Sequence, residues 1–242
     1  MMSSDNQLAV IWVYLSTTPL IGLTLTLVVY SLTYQLYIRS QSSPLLNPVL
    51  VSITVIICVL LITDTSYQTY FDGAQYIHFL LGPSTVALAV PLYEQLPKLK
   101  RLWLPVLISI VGGVFIGVIS AVLIARGLGV SLEIQLSIAP KSVTAPVAMG
   151  ISEQIGGLPS LTAAFVVITG IIGALLGVHI LKLAGIKDDA VKGIAMGVSS
   201  HGIGTARAFQ MSQEMGAFSG LAMALTALTT AIALPWLIQW LF

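Results

Sequence analysis

The chain has 242 residues, of which 57% are hydrophobic and 8% charged, with a formal net charge of +1 and a mean hydropathy of +0.98. Soluble domains carry roughly a quarter charged residues, so this composition excludes an ordinary soluble domain and points to a lipid bilayer. The single cysteine, Cys58, excludes an intrachain disulfide and a cysteine metal cluster, and no basic patch points to nucleic acid.

Residues 8–38, 40–63, 102–125, 154–178 and 215–242 contain no Asp, Glu, Lys, Arg or His. About 20 apolar residues span a hydrocarbon core, so each run is long enough to cross. The first span is expected over 8–37, bent at Pro19 and Gly22. Residues 1–7 lack Lys and Arg, so this run is expected to be a span rather than a signal peptide. After Arg39, Ser42-Ser43-Pro44-Leu45-Leu46-Asn47-Pro48 reads as a turn into a second span that ends near Thr63. Cys58, inside that span, is expected to be a small buried residue. Residues 64–76 read as a loop with Tyr67 and Tyr70 at the interface. Residues 79–93 are short and interrupted by Gly82-Pro83 and Pro91, and 94–101 read as a polar loop with Lys98, Lys100 and Arg101. A clean span follows over 102–125, with Gly112, Gly113 and Gly117 suited to close helix contact.

Residues 132–152 form an apolar segment that holds Lys141 between Pro140 and Pro146. Gly156-Gly157-Leu158-Pro159 reads as a turn, 160–181 as a glycine-bearing span and 182–192 as a charged loop. A second interrupted segment, 190–211, holds His201, and the last span covers 217–241 with Trp236 and Trp240 near its end. The fold class expected is therefore all-α: a polytopic transmembrane helical bundle with interrupted or re-entrant segments, forming one integral domain over 1–242. An echo between residues 83–87 and 140–144, and between Leu96-Pro97-x-Leu99 and Leu158-Pro159-x-Leu161, suggests internal repeats. Three basic loops contain Arg39, then Lys98 to Arg101, then Lys182 to Lys192. All three fall on the cytoplasmic side if the Lys141 segment folds back, which is the arrangement expected.

Lipid accepts neither a bare charge nor broken backbone, unless both line a cavity or pack against protein. Lys141 combines the two. Pro140 interrupts a helix, and a helix starting just after it would aim free N–H groups at an anion beside the ammonium, with Ser142 and Thr144 supplying hydroxyls. The plainer reading is a lysine that snorkels to the interface or pairs with Glu133, Glu153 or Glu94. In the second segment, Gly197, Gly202 and Gly204 permit tight backbone while Ser199, Ser200, His201 and Thr205 crowd together. Arg207 either reaches the same cavity, where its planar fork suits a carboxylate, or faces the cytoplasm at a helix end. His78 and His179 read as interfacial. No zinc-protease or nucleophile-elbow motif is present, and neighbouring Lys141 and Ser142 would point apart on a helix, so no enzyme, metal or cofactor is expected. The expected site is Lys141, Ser142, Thr144, Ser199, Ser200, His201, Thr205 and Arg207, and the ligand is a small carboxylate anion.

Several longer motifs carry a resemblance. Pro44-Leu45-Leu46-Asn47-Pro48, Tyr67-x-x-Tyr70, the run from Leu81-Gly82-Pro83 to Pro91-Leu92-Tyr93, Ala139-Pro140-Lys141-Ser142-Val143-Thr144-Ala145-Pro146, and Ser200-His201-Gly202-Ile203-Gly204-Thr205-Ala206-Arg207 together resemble the LrgB/CidB family. The chain looks most like its YohK-like inner-membrane branch in Gram-negative bacteria. The resemblance covers about residue 20 to the C-terminus. It implies a multi-pass inner-membrane protein and two functions. One is transport of small monocarboxylates such as glycolate, glycerate, pyruvate or lactate, by similarity to the plastidial glycolate/glycerate translocator. The other is holin/antiholin-like control of murein hydrolases and cell lysis, with a small LrgA-like membrane partner. The sequence leaves a homo-oligomer open.

Overall fold

The computed structural model describes residues 20–40, 46–80, 83, 86, 87 and 89–242. The expected bend at Pro19, the first part of the first span, residues 42–45 of the turn expected at 42–48, Gly82 of the Gly82-Pro83 interruption, residues 84 and 85 of the 83–87 echo and the side chain of His78 lie outside the described residues. The described residues form helices joined by short turns, with no strand among them. They divide into two compact units, Met1–Ala87 and Leu88–Phe242.

The first unit holds α1 (Leu20–Arg39), α2 (Pro48–Ile62) and α3 (Tyr67–Phe79). Asn47 starts α2: its Oδ1 accepts from the Val49 and Leu50 amides, and Pro48 occupies the first turn, where a missing N–H costs nothing. Thr33 and Ser52 join α1 to α2 through a 2.7 Å hydroxyl contact, and Thr26 meets the Tyr70 hydroxyl at 2.7 Å. Gly22 lets α1 approach the Tyr70 backbone, because a Cβ there would overlap the Tyr70 carbonyl. Two expectations are corrected. The loop expected at 64–76 is mostly α3: Ser66 Oγ accepts the Thr69 amide at its start, and Tyr67 stacks on Phe71 one turn along. Cys58 is exposed on α2 rather than buried, since α1 packs along the Pro48, Ser52 and Ile56 face.

The second unit holds α4 (Ala89–Glu94), α5 (Leu96–Gly127), α6 (Leu132–Ile138), α7 (Ala145–Ile155), α8 (Pro159–Leu183), α9 (Asp189–Met211) and α10 (Gln213–Leu241). Among the described helices, α1, α5, α8 and α10 are long and apolar enough to cross a membrane, and α2 is a shorter apolar helix. The polar loop expected at 94–101 is instead the first turns of α5, because Pro97 is well placed in a first helical turn.

Both interrupted segments fold back on themselves. At the end of α7, the Leu158 amide donates to Ser137 Oγ at 2.8 Å, and the Thr162 hydroxyl donates to the Ser137 carbonyl at 2.8 Å and lies 2.7 Å from Ser152 Oγ. The chain thus leaves α6, turns at 139–144 and returns along α7 to where it left. In α9, the Ser212 hydroxyl donates to Asp189 Oδ2 at 2.8 Å, although the two residues bracket the whole helix. A straight helix of that length would separate them by about 34 Å. The reversal falls at His201, whose φ of 42° and ψ of −134° are not helical. Residues 189–200 form one arm and 202–211 the other, with Met196 and Ala208 packed together across them.

Ion pairs fix the polarity of the unit. Lys98, at the start of α5, contacts Asp188 at 2.8 Å and Glu214 at 2.7 Å, which gathers the starts of α5, α9 and α10 at one basic end. The Arg126 guanidinium donates to the Leu241 carbonyl, so α5 and α10 also finish together at the other end. The α6–α7 fold-back therefore enters from that far end and the α9 fold-back from the basic end. Helix α5 with its fold-back and α8 with its fold-back run in opposite senses, an inverted repeat. The second and third basic segments share one end, which agrees with a folded-back Lys141 segment.

Candidate functional site: a cationic cleft where two fold-back turns meet

Pro140 does not begin the returning helix. The Lys141 amide donates to the Ile138 carbonyl and the Val143 amide to the Pro140 carbonyl, which makes 139–143 a compact turn. Helix α7 starts only at Ala145, because Thr144 is extended (φ −64°, ψ 147°) and Pro146, not Pro140, fits the first helical turn. The expected helix N-terminus therefore begins four residues after Lys141.

The second turn is built by a strained histidine. A non-glycine residue at φ 42° is rare and persists only where its surroundings hold it. His201 is buried, its Nε2–H donates to the Val166 carbonyl at 2.9 Å, and its ring lies against Gly170. Helix α8 receives this arm along a glycine stripe. Cβ atoms at Gly170, Gly173 and Gly177 would run into His201, Ser200 and Met196 in turn. On the other side, Gly193 and Gly197 sit against the Met215 and Ser219 carbonyls of α10. Small residues of this kind let membrane helices approach to backbone contact.

The two turns share one cleft of about 560 Å3 between α5, α8 and the first arm of α9. Its polar side chains are Lys141, Ser142, Thr169, Ser199 and Ser200. The rest is apolar or glycine, and the cleft extends along α8 to Ile180 and Leu181, towards the basic end. Lys141 Nζ donates to Ser142 Oγ at 3.3 Å, and among the described residues it forms no ion pair, so Glu133, Glu153 and Glu94 do not neutralise it. Ser199 Oγ donates to the Ala195 carbonyl and lies 2.9 Å from Ser200 Oγ. An ammonium beside hydroxyls, in a largely apolar cleft and with no carboxylate partner, suits a small anion.

Four of the eight expected site residues line the cleft: Lys141, Ser142, Ser199 and Ser200. The other four do not. Thr144 caps α7 outside it. His201 turns its ring to α8, and Thr205 donates to the His201 carbonyl and meets Ser219 Oγ at 2.9 Å, so both brace the turn from behind. Arg207 lies on the outgoing arm, with Nη1 3.0 Å from Gln210 Oε1. Thr169 was not singled out from the sequence. The Gly170-x-x-Gly173-x-x-x-Gly177 stripe beside it is the signal that marks this face of α8 as a close-contact surface. A second cavity of about 360 Å3 adjoins the cleft at Gly113, Ala195 and Val198 and runs between α5 and α9 to Leu102 and Ala190 at the basic end.

Fold and site together define a multi-pass helical membrane protein, with opposed fold-back segments around a cationic cleft. Comparison with known proteins gives its lineage. The profile of the LrgB-like family matches residues 26–240, and the chain belongs to that family. It is 36% identical over 225 residues to YwbG of Bacillus subtilis, an uncharacterized protein, covering 92% of this chain and 98% of that one. It is 34% identical to the holin-like protein CidB of Staphylococcus epidermidis, over 88% of this chain and 93% of the relative. Against the holin-like protein CidB of Staphylococcus aureus the identity is 35%, over 90% and 95%. No solved structure matches the chain. A multi-pass bacterial membrane location follows from the spanning helices and the family.

Proposed function

We propose that this protein carries small monocarboxylate anions across the bacterial membrane, through the Lys141 cleft. The supporting observation is the placement of an ammonium with no ion-pair partner at the meeting point of two fold-back turns that enter from opposite ends. Inverted repeats with broken helices at a central site are a recurring design among secondary transporters. The cleft extends along α8 to Ile180 and Leu181, towards the end expected to be cytoplasmic. Lys141 supplies the charge that holds the carboxylate, and Ser142, Ser199, Ser200 and Thr169 offer hydrogen bonds to its hydroxyl or keto oxygen.

The relatives' name favours a second reading more directly than the first, that of a holin-like protein; the family resemblance adds to it control of murein hydrolases and a small LrgA-like membrane partner. Purified protein in liposomes separates the two. A carrier moves labelled glycolate, pyruvate or lactate without any partner, saturably and with competition among them. A holin-like pore passes unrelated small solutes without saturation. Failure to move any carboxylate, with or without a co-reconstituted LrgA-like partner, removes the transport reading.

A further inference from the structure

Behind the cleft, on the other side of the 139–143 turn, lies a second and much smaller cavity. It has room for about one water-sized guest, about 10 Å3. Its walls are Val114 and Val118 of α5, Val143 and Pro140 of the turn, and Thr226 and Thr230 of α10, with Ser142 common to this cavity and the cleft. Thr226 is 1% exposed and its Oγ1 has no hydrogen-bond partner among the described residues. A helical threonine ordinarily turns its hydroxyl back to the carbonyl one turn earlier. Thr226 does not, and a buried hydroxyl left unpaired is destabilising. Ser142 has the complementary need. Its oxygen already accepts from Lys141 Nζ at 3.3 Å, so its single proton must be donated elsewhere.

We infer that this cavity binds one ordered water, which bridges Thr226 of α10 to Ser142 and so makes Thr226 a positioning residue for the anion site. The water accepts from Ser142 and exchanges a hydrogen bond with Thr226, while Thr230 lines the same space. Three neutral hydroxyls line the cavity and no carboxylate does. Ser142 Oγ, on its edge, is also 3.3 Å from the Lys141 ammonium. That charge disfavours a metal cation and leaves a neutral guest as the fitting one. The bridge fixes the Ser142 rotamer, and Ser142 in turn orients the Lys141 ammonium into the cleft. Helix α10, which contributes no wall to the cleft, thereby influences how the anion is held.

The role in anion binding rests on the transport reading above; the water itself does not. The test uses the full-length protein in lipid nanodiscs and liposomes, with Thr226→Val, Thr226→Ser and, should the valine variant not fold, Thr226→Ala. A structure that resolves waters is expected to show a density peak within hydrogen-bond reach of Thr226 Oγ1 and Ser142 Oγ in the wild type and none in Thr226→Val. In uptake of labelled pyruvate and glycolate, Thr226→Val is expected to raise the half-saturating concentration about fivefold, with the maximal rate within about twofold of wild type, as loss of one indirect hydrogen bond would do. Thr226→Ser is expected to restore it. A wild-type structure without that peak overturns the inference, as does an unchanged half-saturating concentration in Thr226→Val. A peak and an uptake rate that both depend on sodium rather than choline overturn it in favour of a cation. If the wild type moves no carboxylate, the transport reading fails, and the density alone then decides the water.

Discussion

Gly173 of α8 and Ser200 of α9 pack so closely that a Cβ at position 173 would overlap the Ser200 hydroxyl. The contact seats the second turn against α8 and sets the position of one wall of the cleft. We expect Gly173→Ala to push the arm outward, lowering stability by about 1–3 kcal/mol as other overpacked substitutions do. Uptake should fall with it. Gly112→Ala is the control, because nothing lies within 4 Å of a Cβ there. Thermal unfolding in detergent should show the first variant destabilised and the second unchanged or slightly stabilised.

Lys141→Met keeps most of the side-chain bulk and removes the charge. Carboxylate uptake should be abolished, while the melting temperature stays equal or rises, because an ammonium without an ion-pair partner contributes little to fold stability. Thr144→Val, outside the cleft, should change uptake by less than the loss of one neutral hydrogen bond, about 1 kcal/mol. The check is uptake at equal membrane expression. Full transport by Lys141→Met would sink the anion-site reading.

His201 combines backbone strain with a useful hydrogen bond. Replacing it by alanine removes the bond to the Val166 carbonyl and leaves a Cβ at φ 42°. Glycine loses the same bond but accepts this backbone without strain. His201→Gly should therefore be more stable than His201→Ala by on the order of 1–3 kcal/mol and unfold at the higher temperature. Equal stability of the two would show that the turn is not strained.

Asp188 ties the basic end together. Hydrogen bonding to the Lys98 ammonium, then the Val191 and Ala190 amides, holds its carboxyl below the usual carboxylate range. The sign follows from that depression. The stabilisation is fully present above the unfolded carboxylate pKa of about 3.9 and is lost as pH falls through the lower folded value. Asp188 is about half exposed, so solvent screening keeps the contribution to at most about 1 kcal/mol. Asp188→Asn retains the helix cap and loses only the charge. Its melting temperature should fall less steeply than that of the wild type between about pH 5 and 3, and the difference should shrink in high salt.

Much of this protein is written in local sequence. Apolar runs longer than 20 residues specify spanning helices wherever they occur, so α8 and α10 could be read within a few residues of their ends and α5 at its C-terminal end, since its first turns read as a loop. Lys141 and the Ser199-Ser200 pair could be read as a site because charge and hydroxyls inside apolar chain need a polar surrounding. Local signals misled where two weak cues outvoted a pattern. Asp72 and Gly73 suggested a loop, yet Tyr67, Tyr70 and Phe71 share one helical face.

The direction of the chain after the break near 201 was not in the sequence, and for the break at 140 only the placement of the basic loops pointed to a fold-back. Prolines and glycines announce that a helix stops at 140 and near 201, but a stop is compatible with continuing across the membrane or turning back. The tertiary contacts decide: Ser137 with Leu158 and Thr162, and Asp189 with Ser212, close each fold-back over residues far apart in the chain. Likewise, which side chains of the Ser200 to Arg207 motif reach the cleft depends on a single backbone reversal. With φ positive at His201, Ser199 and Ser200 line the cleft that holds Lys141, while His201 itself, Thr205 and Arg207 are carried behind the turn and along the outgoing arm. One torsion angle, held by the Gly170 contact on a neighbouring helix, separates the residues that can touch an anion from those that only hold the turn in place.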